Sequence, residues 1–213
     1  MIKNTILSSL ATQHGTDKWN HHYYTDIYHH YLQHLKNSSI KLLEIGVGGY
    51  EYPDRGGQSL KMWKDYFPHG QIWAIDIYDK SKLQEDRIAI LQGSQNDADF
   101  LQEVFNRMGG LHVVVDDGSH KCSDVIASFQ KLFPLLDENG IYIIEDTETS
   151  YWESYGGSFD LNNPCTTKNF FISLLHGLDH ITIPNFPVSY FTKNIKGMSF
   201  YRNLIIVQKG EPK

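Results

Sequence analysis

Two groups of acidic residues in this sequence are placed so that they can act together on a ligand. Asp116-Asp117-Gly118-Ser119-His120 follows one apolar run, and Glu145-Asp146 follows the next. Carboxylates held close together repel one another, and a bound divalent cation removes that repulsion. Ligation by oxygen atoms favours Mg²⁺, with Mn²⁺ as a substitute, and disfavours Zn²⁺. The alternative is an acidic turn that caps the following helix, which suits Asp117 or Ser119 taken singly.

His120 is the candidate proton acceptor. It stands three residues after Asp117, and an imidazole changes its charge near neutral pH. A histidine within reach of a hydroxyl beside the cation can take the proton of that hydroxyl. A histidine without such a neighbour is more often a plain surface residue, so this interpretation depends on the cation site.

A glycine-rich turn after an earlier apolar run predicts a nucleotide-like cofactor. In Glu44-Ile45-Gly46-Val47-Gly48-Gly49, the small residues Gly46 and Gly48 let the backbone come close to a ligand. The dinucleotide fingerprint requires a third glycine at position 51, which is Glu51 here. This difference favours S-adenosylmethionine, with Glu44 facing its cationic methionine end.

The ends of the next two runs extend the predicted cofactor site. Asp76 is placed to accept hydrogen bonds from two ribose hydroxyls, and its alternative role is a helix cap. Ser94 and Gln95 offer a hydroxyl and an amide where an adenine would lie. We also assign Asp116 to the cofactor.

Short apolar runs alternate with helical patterns, which predicts an α/β fold with a mostly parallel sheet and helices on both faces. The predicted strands are 40–45, 71–77, 88–92, 111–116 and 141–145, the predicted helices are 58–66, 98–108 and 122–136, and residues 199–201 and 204–208 are predicted to form a closing antiparallel pair. Residues 1–39 are predicted to form a helical cap, in which Tyr24, Ile27, Tyr28, Tyr31, Leu32 and Leu35 make an apolar stripe.

The composition narrows the classes of partner. The chain has 213 residues, with 19 Lys and Arg against 25 Asp and Glu and a net charge of −6, which argues against nucleic acid and anionic membranes. Two cysteines, Cys122 and Cys165, suit a reducing cytoplasm. Residues 1–11 have a short apolar stretch split by two serines, so we interpret them as mature chain. The length predicts a single domain over residues 1–213, with its core at 40–213.

Taken together, these motifs resemble the metal-dependent sugar O-methyltransferases of the macrocin and mycinamicin type, within class I of the S-adenosylmethionine-dependent methyltransferases. The resemblance runs from Gly15 to Lys209. Its marks are Gly15-Thr16-Asp17-Lys18, His22-x-Tyr24-x-x-x-Tyr28, Leu43 to Gly49, Gly56-Gly57-x-Ser59-Leu60-x-Met62-Trp63, Asp76-Ile77-x-Asp79-Lys80, Gly93-Ser94-Gln95-x-Asp97, Asp116 to His120, Ile144-Glu145-Asp146 and Phe200-Tyr201.

The resemblance implies a Rossmann-like class I methyltransferase fold, with a seven-stranded sheet whose last strand is antiparallel. It also implies that Asp117, Glu145 and Asp146 bind Mg²⁺ and that His120 is the general base. Lys18 and the helical cap would help to close over the cofactor, along which Glu44, Asp76 and Ser94 or Gln95 would lie. The acceptor is expected to be a sugar or glycoside, and the question of a homo-oligomer stays open.

Two other functions are left open by the residues. An NAD-dependent nucleotide-sugar oxidoreductase is compatible with the glycine turn and Asp76, although the third glycine and a Tyr-x-x-x-Lys pair are missing. A non-catalytic S-adenosylmethionine-binding protein is the other alternative, and the intact acids and His120 argue against it. The chain departs from the family pattern in a longer segment at 184–197 and, we expect, in lacking the additional N-terminal domain of some relatives.

Overall fold

The computed structural model describes residues 5–211, so the first four residues of the predicted mature N-terminus lie outside it. The chain divides into two compact units, with the division after Ser94. The single domain over 1–213 remains a prediction.

Seven strands form a mostly parallel sheet in the order β3-β2-β1-β4-β5-β7-β6, with helices around it. The fold class predicted from the sequence is therefore confirmed. The strands are β1 Lys41–Ile45, β2 Gln71–Asp76, β3 Ile88–Gln92, β4 Val113–Asp116, β5 Ile141–Ile144, β6 Ile195–Tyr201 and β7 Leu204–Lys209. The α-helices are α1 Ile6–His14, α2 Thr25–Leu32, α3 Gln58–Tyr66, α4 Ala98–Met108, α5 Cys122–Leu132, α6 Thr167–Ser173 and α7 Tyr190–Asn194.

In the first unit, β2 is the middle strand of a parallel trio. Lys41 of β1 lies opposite Gln71 of β2, and Ile72 of β2 lies opposite Ile88 of β3. The apolar side chains of β1 are buried on both faces of the strand, as expected for a parallel sheet. At their carboxyl ends, β1 leads into the glycine turn, β2 ends at Asp76 and β3 is followed by Ser94. These are residues predicted to bind the cofactor.

The predicted N-terminal helices form and have recognisable end signals. Thr5 caps α1 through a reciprocal capping box with Ser8, and Gly15 ends the helix in the left-handed conformation at φ 71°. In the apolar stripe, Tyr24, Tyr28 and Leu32 are buried. The Tyr28 ring packs on Trp63 of α3 at 5.4 Å between centroids.

In the second unit, the last strand reverses direction as predicted. β4 and β5 are parallel, whereas β7 runs antiparallel to both β5 and β6. Asn203 allows the tight β6–β7 turn because it adopts a left-handed conformation at φ 59°. β6 begins four residues earlier than predicted, since this edge strand is only partly buried and carries little apolar pattern.

The predicted helix at 122–136 ends earlier than its apolar spacing suggests. α5 stops at Leu132, and a 3₁₀ helix follows over Phe133–Leu135, with Pro134 in its first turn. Proline has no N–H to donate and its ring clashes with the preceding turn, so it does not continue an α-helix. No helix within residues 5–211 combines the length and apolar character that a membrane span requires.

Phe129 is the centre of the aromatic core of the second unit. Its side chain is fully buried, and its ring lies 4.7 Å from that of Phe171 and 5.1 Å from that of Tyr142. The rings of Phe133 and Phe191 lie 4.9 and 5.4 Å away.

We expect Phe129→Ala to lower the free energy of unfolding by about 3–5 kcal/mol, because it removes buried apolar contacts and leaves a cavity. Urea unfolding followed by circular dichroism measures this. The control is Phe159→Ala, since Phe159 is 80% exposed in the same unit. Similar losses for both variants would contradict the assignment of Phe129 to the core.

Candidate functional site

The glycine turn after β1 folds tightly against a later part of its own loop. A Cβ added to Gly49 would lie 2.3 Å from the Arg55 carbonyl oxygen, and one added to Gly56 would lie 2.4 Å from the Gly48 carbonyl oxygen. All three glycines also have positive φ values. Only glycine fits positions 49 and 56 without displacing backbone. The turn is therefore held in one tight backbone conformation, and we call residues 46–49 the glycine cradle.

Asp76 connects the end of β2 to that cradle. One carboxylate oxygen accepts the Val47 N–H at 2.9 Å, and the other accepts the Tyr78 N–H at 2.9 Å. The second contact is a local turn of the kind that the capping alternative anticipates. Each oxygen keeps a free lone-pair direction, so ribose binding by Asp76 remains compatible with this geometry and remains a prediction.

Lys80 braces the same loop, a role that the sequence analysis missed. Its side chain is 1% exposed, and Nζ donates to the carbonyl oxygens of Tyr52 at 2.7 Å and Arg55 at 3.1 Å. The only sequence signal was its place in the Asp76-Ile77-x-Asp79-Lys80 motif. A lysine so buried is unusual, and here its ammonium group links two carbonyl groups of the loop that packs against the cradle.

Glu44, the acid before the glycine turn, forms a buried ion pair. Its Oε1 lies 3.3 Å from Nζ of Lys18, and the two side chains are 0% and 1% exposed. Both residues are predicted from the sequence to lie at the cofactor, whereas their pairing with each other has no signal in the sequence. Their cofactor roles remain predictions.

We expect Lys18→Met to lower the free energy of unfolding by about 3–5 kcal/mol, because it leaves the Glu44 carboxylate buried without this cation. Chemical denaturation without added cofactor measures this. Lys64→Met is the control, since Lys64 and Glu85 form a 2.9 Å pair at the surface, and exposed pairs contribute about 0–1 kcal/mol. Equal losses would contradict the importance of the buried pair.

Gln95 is buried, and both ends of its carboxamide are used within the second unit. Its Nε2 donates to Asp116 Oδ1 at 3.1 Å, and its Oε1 accepts the Ser119 N–H at 2.7 Å. The side chain thus joins the end of β4 to the loop that carries His120. The neighbouring Ser94 is half-buried. The adenine-binding roles predicted for Ser94 and Gln95 remain predictions.

Asp116 is a buried carboxylate with three side-chain donors. Ser128 Oγ and Tyr142 Oη lie 2.6 and 3.2 Å from Oδ2, and Gln95 approaches Oδ1. Burial raises the pKa of Asp116 to about 6, while the Ser128 hydrogen bond is the largest opposing effect. The cofactor role of Asp116 remains a prediction.

The raised pKa gives a specific pH dependence. The folded chain holds a proton on Asp116 up to pH about 6, whereas the ordinary value is 3.8. Burial of the ionised group therefore costs stability above pH 6, and this cost disappears as the pH falls towards 4. In EDTA, we expect the unfolding free energy of the wild type relative to Asp116→Asn to rise by roughly 2 kcal/mol as the pH is lowered from 7 to 4. Parallel pH curves for the two proteins would contradict this.

Asp117, His120 and Asp146 come together at the ends of β4 and β5. His120 Nε2 lies 3.9 Å from both Asp117 Oδ1 and Asp146 Oδ2. One ligand atom from each of the three residues lies within 4.8 Å of the others, a grouping that can hold a metal ion. Each side chain is about a quarter exposed, so the group is open to small molecules.

Glu145 differs from the other predicted metal ligands. It is 4% exposed and its backbone N–H donates to the Asp116 carbonyl oxygen at 3.0 Å, but it is not part of the three-residue grouping. Adjacent residues at the end of a strand point in different directions. Its role as a metal ligand remains a prediction.

Two members of the cluster have an unusual backbone conformation. His120 and Asp146 adopt left-handed φ values of 56° and 49°. Such residues cost of the order of 1 kcal/mol or more and occur often at functional sites. Both side chains belong to the cluster, and histidine and aspartate are among the non-glycine residues that adopt this conformation most often.

The chain is similar to several proteins of known activity. No protein-family model matches the chain. It is 41% identical over 209 residues to the mycinamicin VI 2''-O-methyltransferase of Micromonospora griseorubida, covering 96% of this chain and 52% of that protein. It is also 41% identical to the 8-demethyl-8-(2-methoxy-alpha-L-rhamnosyl)-tetracenomycin-C 3'-O-methyltransferase of Streptomyces olivaceus, covering 96% and 54%.

A solved structure agrees with these relatives. The MycE methyltransferase of the mycinamycin biosynthetic pathway, in complex with Mg and SAH, matches with a TM-score of 0.94 and 40% identity. The match covers 99% of this chain and 55% of that one. The chain thus spans about half the length of the relatives that it matches.

The strand order and the match to a solved methyltransferase structure define a class I methyltransferase fold. Within that class, the chain is a homologue of the sugar O-methyltransferases of macrolide and tetracenomycin pathways. The resemblance stated from the motifs is confirmed.

Proposed function

We propose that this chain transfers a methyl group from S-adenosylmethionine to a hydroxyl of a sugar or glycoside, with the aid of Mg²⁺. The observation that carries this proposal is the cluster of Asp117, His120 and Asp146 in a homologue of sugar O-methyltransferases. The glycine cradle and Asp76 support the cofactor part.

The donor set fits a divalent cation of the magnesium type. Asp117 and Asp146 provide carboxylate oxygens close together, and their repulsion is lowest when a cation is shared. Glu145 is the third proposed ligand. Bound Mg²⁺ supplies positive charge that makes a neighbouring hydroxyl easier to deprotonate.

His120 is the proposed general base. Its Nε2 is the ring atom nearest to both carboxylates, at 3.9 Å from each. The left-handed backbone of His120 holds the ring at this place. Base catalysis of this kind contributes about 10²–10⁴-fold to a rate.

The residues of the first unit are proposed to bind S-adenosylmethionine, which supplies a methyl group on a sulfonium ion. The cradle at Gly46 and Gly48 exposes backbone to the ligand, and Asp76 accepts from ribose hydroxyls. Lys18 and Glu44 bring two opposite charges to the start of the cradle. Ser94, Gln95 and Asp116 are the remaining proposed cofactor residues. Alignment of oxygen, methyl carbon and sulfur is then the main source of rate.

Calorimetric titration tests the choice of cofactor. We expect S-adenosylmethionine and S-adenosylhomocysteine to bind and NAD not to bind, since the turn lacks the third glycine of the dinucleotide fingerprint. Binding of NAD alone would point to the oxidoreductase alternative.

Turnover is tested with a panel of glycosides and nucleotide sugars, scored by mass spectrometry for the gain of one CH₂. We expect Asp117→Ala to abolish methylation while S-adenosylmethionine still binds, and His120→Ala to lose about 10²–10⁴-fold in rate. Asp137→Ala is the control, because Asp137 pairs with His112 at the surface, 3.4 Å away. Full activity in excess EDTA would contradict the role of the metal.

A further inference from the structure

The hydroxyl of Thr149 contacts both loops of the acidic cluster. Thr149 lies in a 3₁₀ helix, Thr147–Tyr151, and is 4% exposed. Its Oγ1 is 3.0 Å from the carbonyl oxygen of His120 and 3.0 Å from that of Asp146. A hydroxyl has one proton to donate, so the hydrogen bond is shared between the two carbonyl oxygens or alternates between them.

The two carbonyl groups belong to the two strained residues of the cluster. His120 and Asp146 both have left-handed backbones, and a carbonyl fixed in direction fixes the peptide plane that follows it. The Thr149 N–H also donates to Asp146, at 3.2 Å. Within residues 5–211, the Thr149 hydroxyl is the hydrogen-bond donor found for the His120 carbonyl.

Thr149 itself is held in place by the chain that follows. A Cβ on Gly157 would lie 2.4 Å from the Thr149 carbonyl oxygen, so the backbone at Gly157 packs directly on this residue. Ser158 N–H then donates to the Ser150 carbonyl at 2.9 Å. The segment therefore cannot shift far without unfolding the turn at 156–158.

We propose that Thr149 is a positioning residue, whose hydroxyl joins the His120 loop to the Asp146 loop and so sets the geometry for a divalent cation before the cation arrives. This inference rests on the metal site of the proposed function. The competing explanation is a local hydrogen bond from a threonine to the carbonyl three residues earlier, which is common in helical turns and has no effect on ligands.

Mn²⁺ binding, followed by electron paramagnetic resonance of the free ion, separates the two explanations. Thr149→Val keeps the branched shape and removes the hydroxyl, whereas Thr149→Ser keeps the hydroxyl. We expect the valine variant to bind Mn²⁺ about 10-fold more weakly, in the range seen when groups behind metal ligands are removed. The serine variant should stay near the wild type.

Thr192→Val is the matched control. Thr192 is also buried, and its Oγ1 donates to the carbonyl of Ser189, three residues earlier, at 2.8 Å. The same hydroxyl accepts the Ser189 N–H at 2.8 Å, so both of its hydrogen bonds stay with Ser189 and neither reaches a second loop. Mn²⁺ affinity should therefore not change. Unchanged Mn²⁺ affinity in Thr149→Val, or equal weakening in the valine and serine variants, would overturn the proposal.

Hydrogen exchange of the metal-free protein gives a readout that does not depend on the ion. Loss of one hydrogen bond should speed exchange at residues 119–121 by about fivefold in Thr149→Val but not in Thr149→Ser. If the wild type binds no Mn²⁺ but this difference appears, the metal part of the proposed function fails and the link between the loops stands. If the valine variant does not fold, Thr149→Ala carries the same expectations.

Discussion

The register between β4 and β5 is the constraint on which the acidic cluster depends. Asp116 lies opposite Ile144, and the next N–H, from Glu145, continues the pairing to the Asp116 carbonyl. A shift of one residue would turn every following side chain to the other face of the sheet. Because the register is fixed by fully buried apolar strands, the loops that carry Asp117 and Asp146 begin side by side. Their shared position is a result of core packing.

Much of this arrangement was predictable because it follows from rules of sheet architecture. Buried parallel strands read as continuous apolar runs, and ligands bind beyond their carboxyl ends. The glycine turn, Asp76 and the two acidic groups were found in this way. The helix bounds of α3 and α4 were also predicted to the residue, since apolar positions recur there every three or four residues.

Other features could not be predicted because they depend on contacts between distant residues. The bonds of Gln95 to Asp116 and Ser119 join segments about twenty residues apart, and neither local spacing nor residue type indicates them. Apolar spacing also predicted α5 too long, because Pro134 ends the helix against that pattern. Histidine and asparagine adopt the left-handed conformation more often than most residues, but residue type alone does not say that His120 and Asn203 would be the ones to do so.

Burial of charge is a recurring cost in this fold. Lys18, Glu44, Lys80 and Asp116 are all almost fully buried, although such residues usually remain in water. In each case a partner distant in the sequence offsets part of the loss of hydration. Lys18 and Glu44 pair with each other, Lys80 bonds two carbonyl oxygens, and Asp116 accepts from hydroxyl and amide groups.

The left-handed residues His120 and Asp146 have an evolutionary consequence. Glycine occupies such a conformation at lower conformational cost than either side chain, so a chain selected for stability alone would favour glycine at both positions. A histidine and an aspartate held there lower the folding free energy, and under the proposed function this is the usual conflict between stability and activity. Screens that rank substitutions by thermal tolerance would therefore favour replacement of the proposed general base and of a proposed metal ligand.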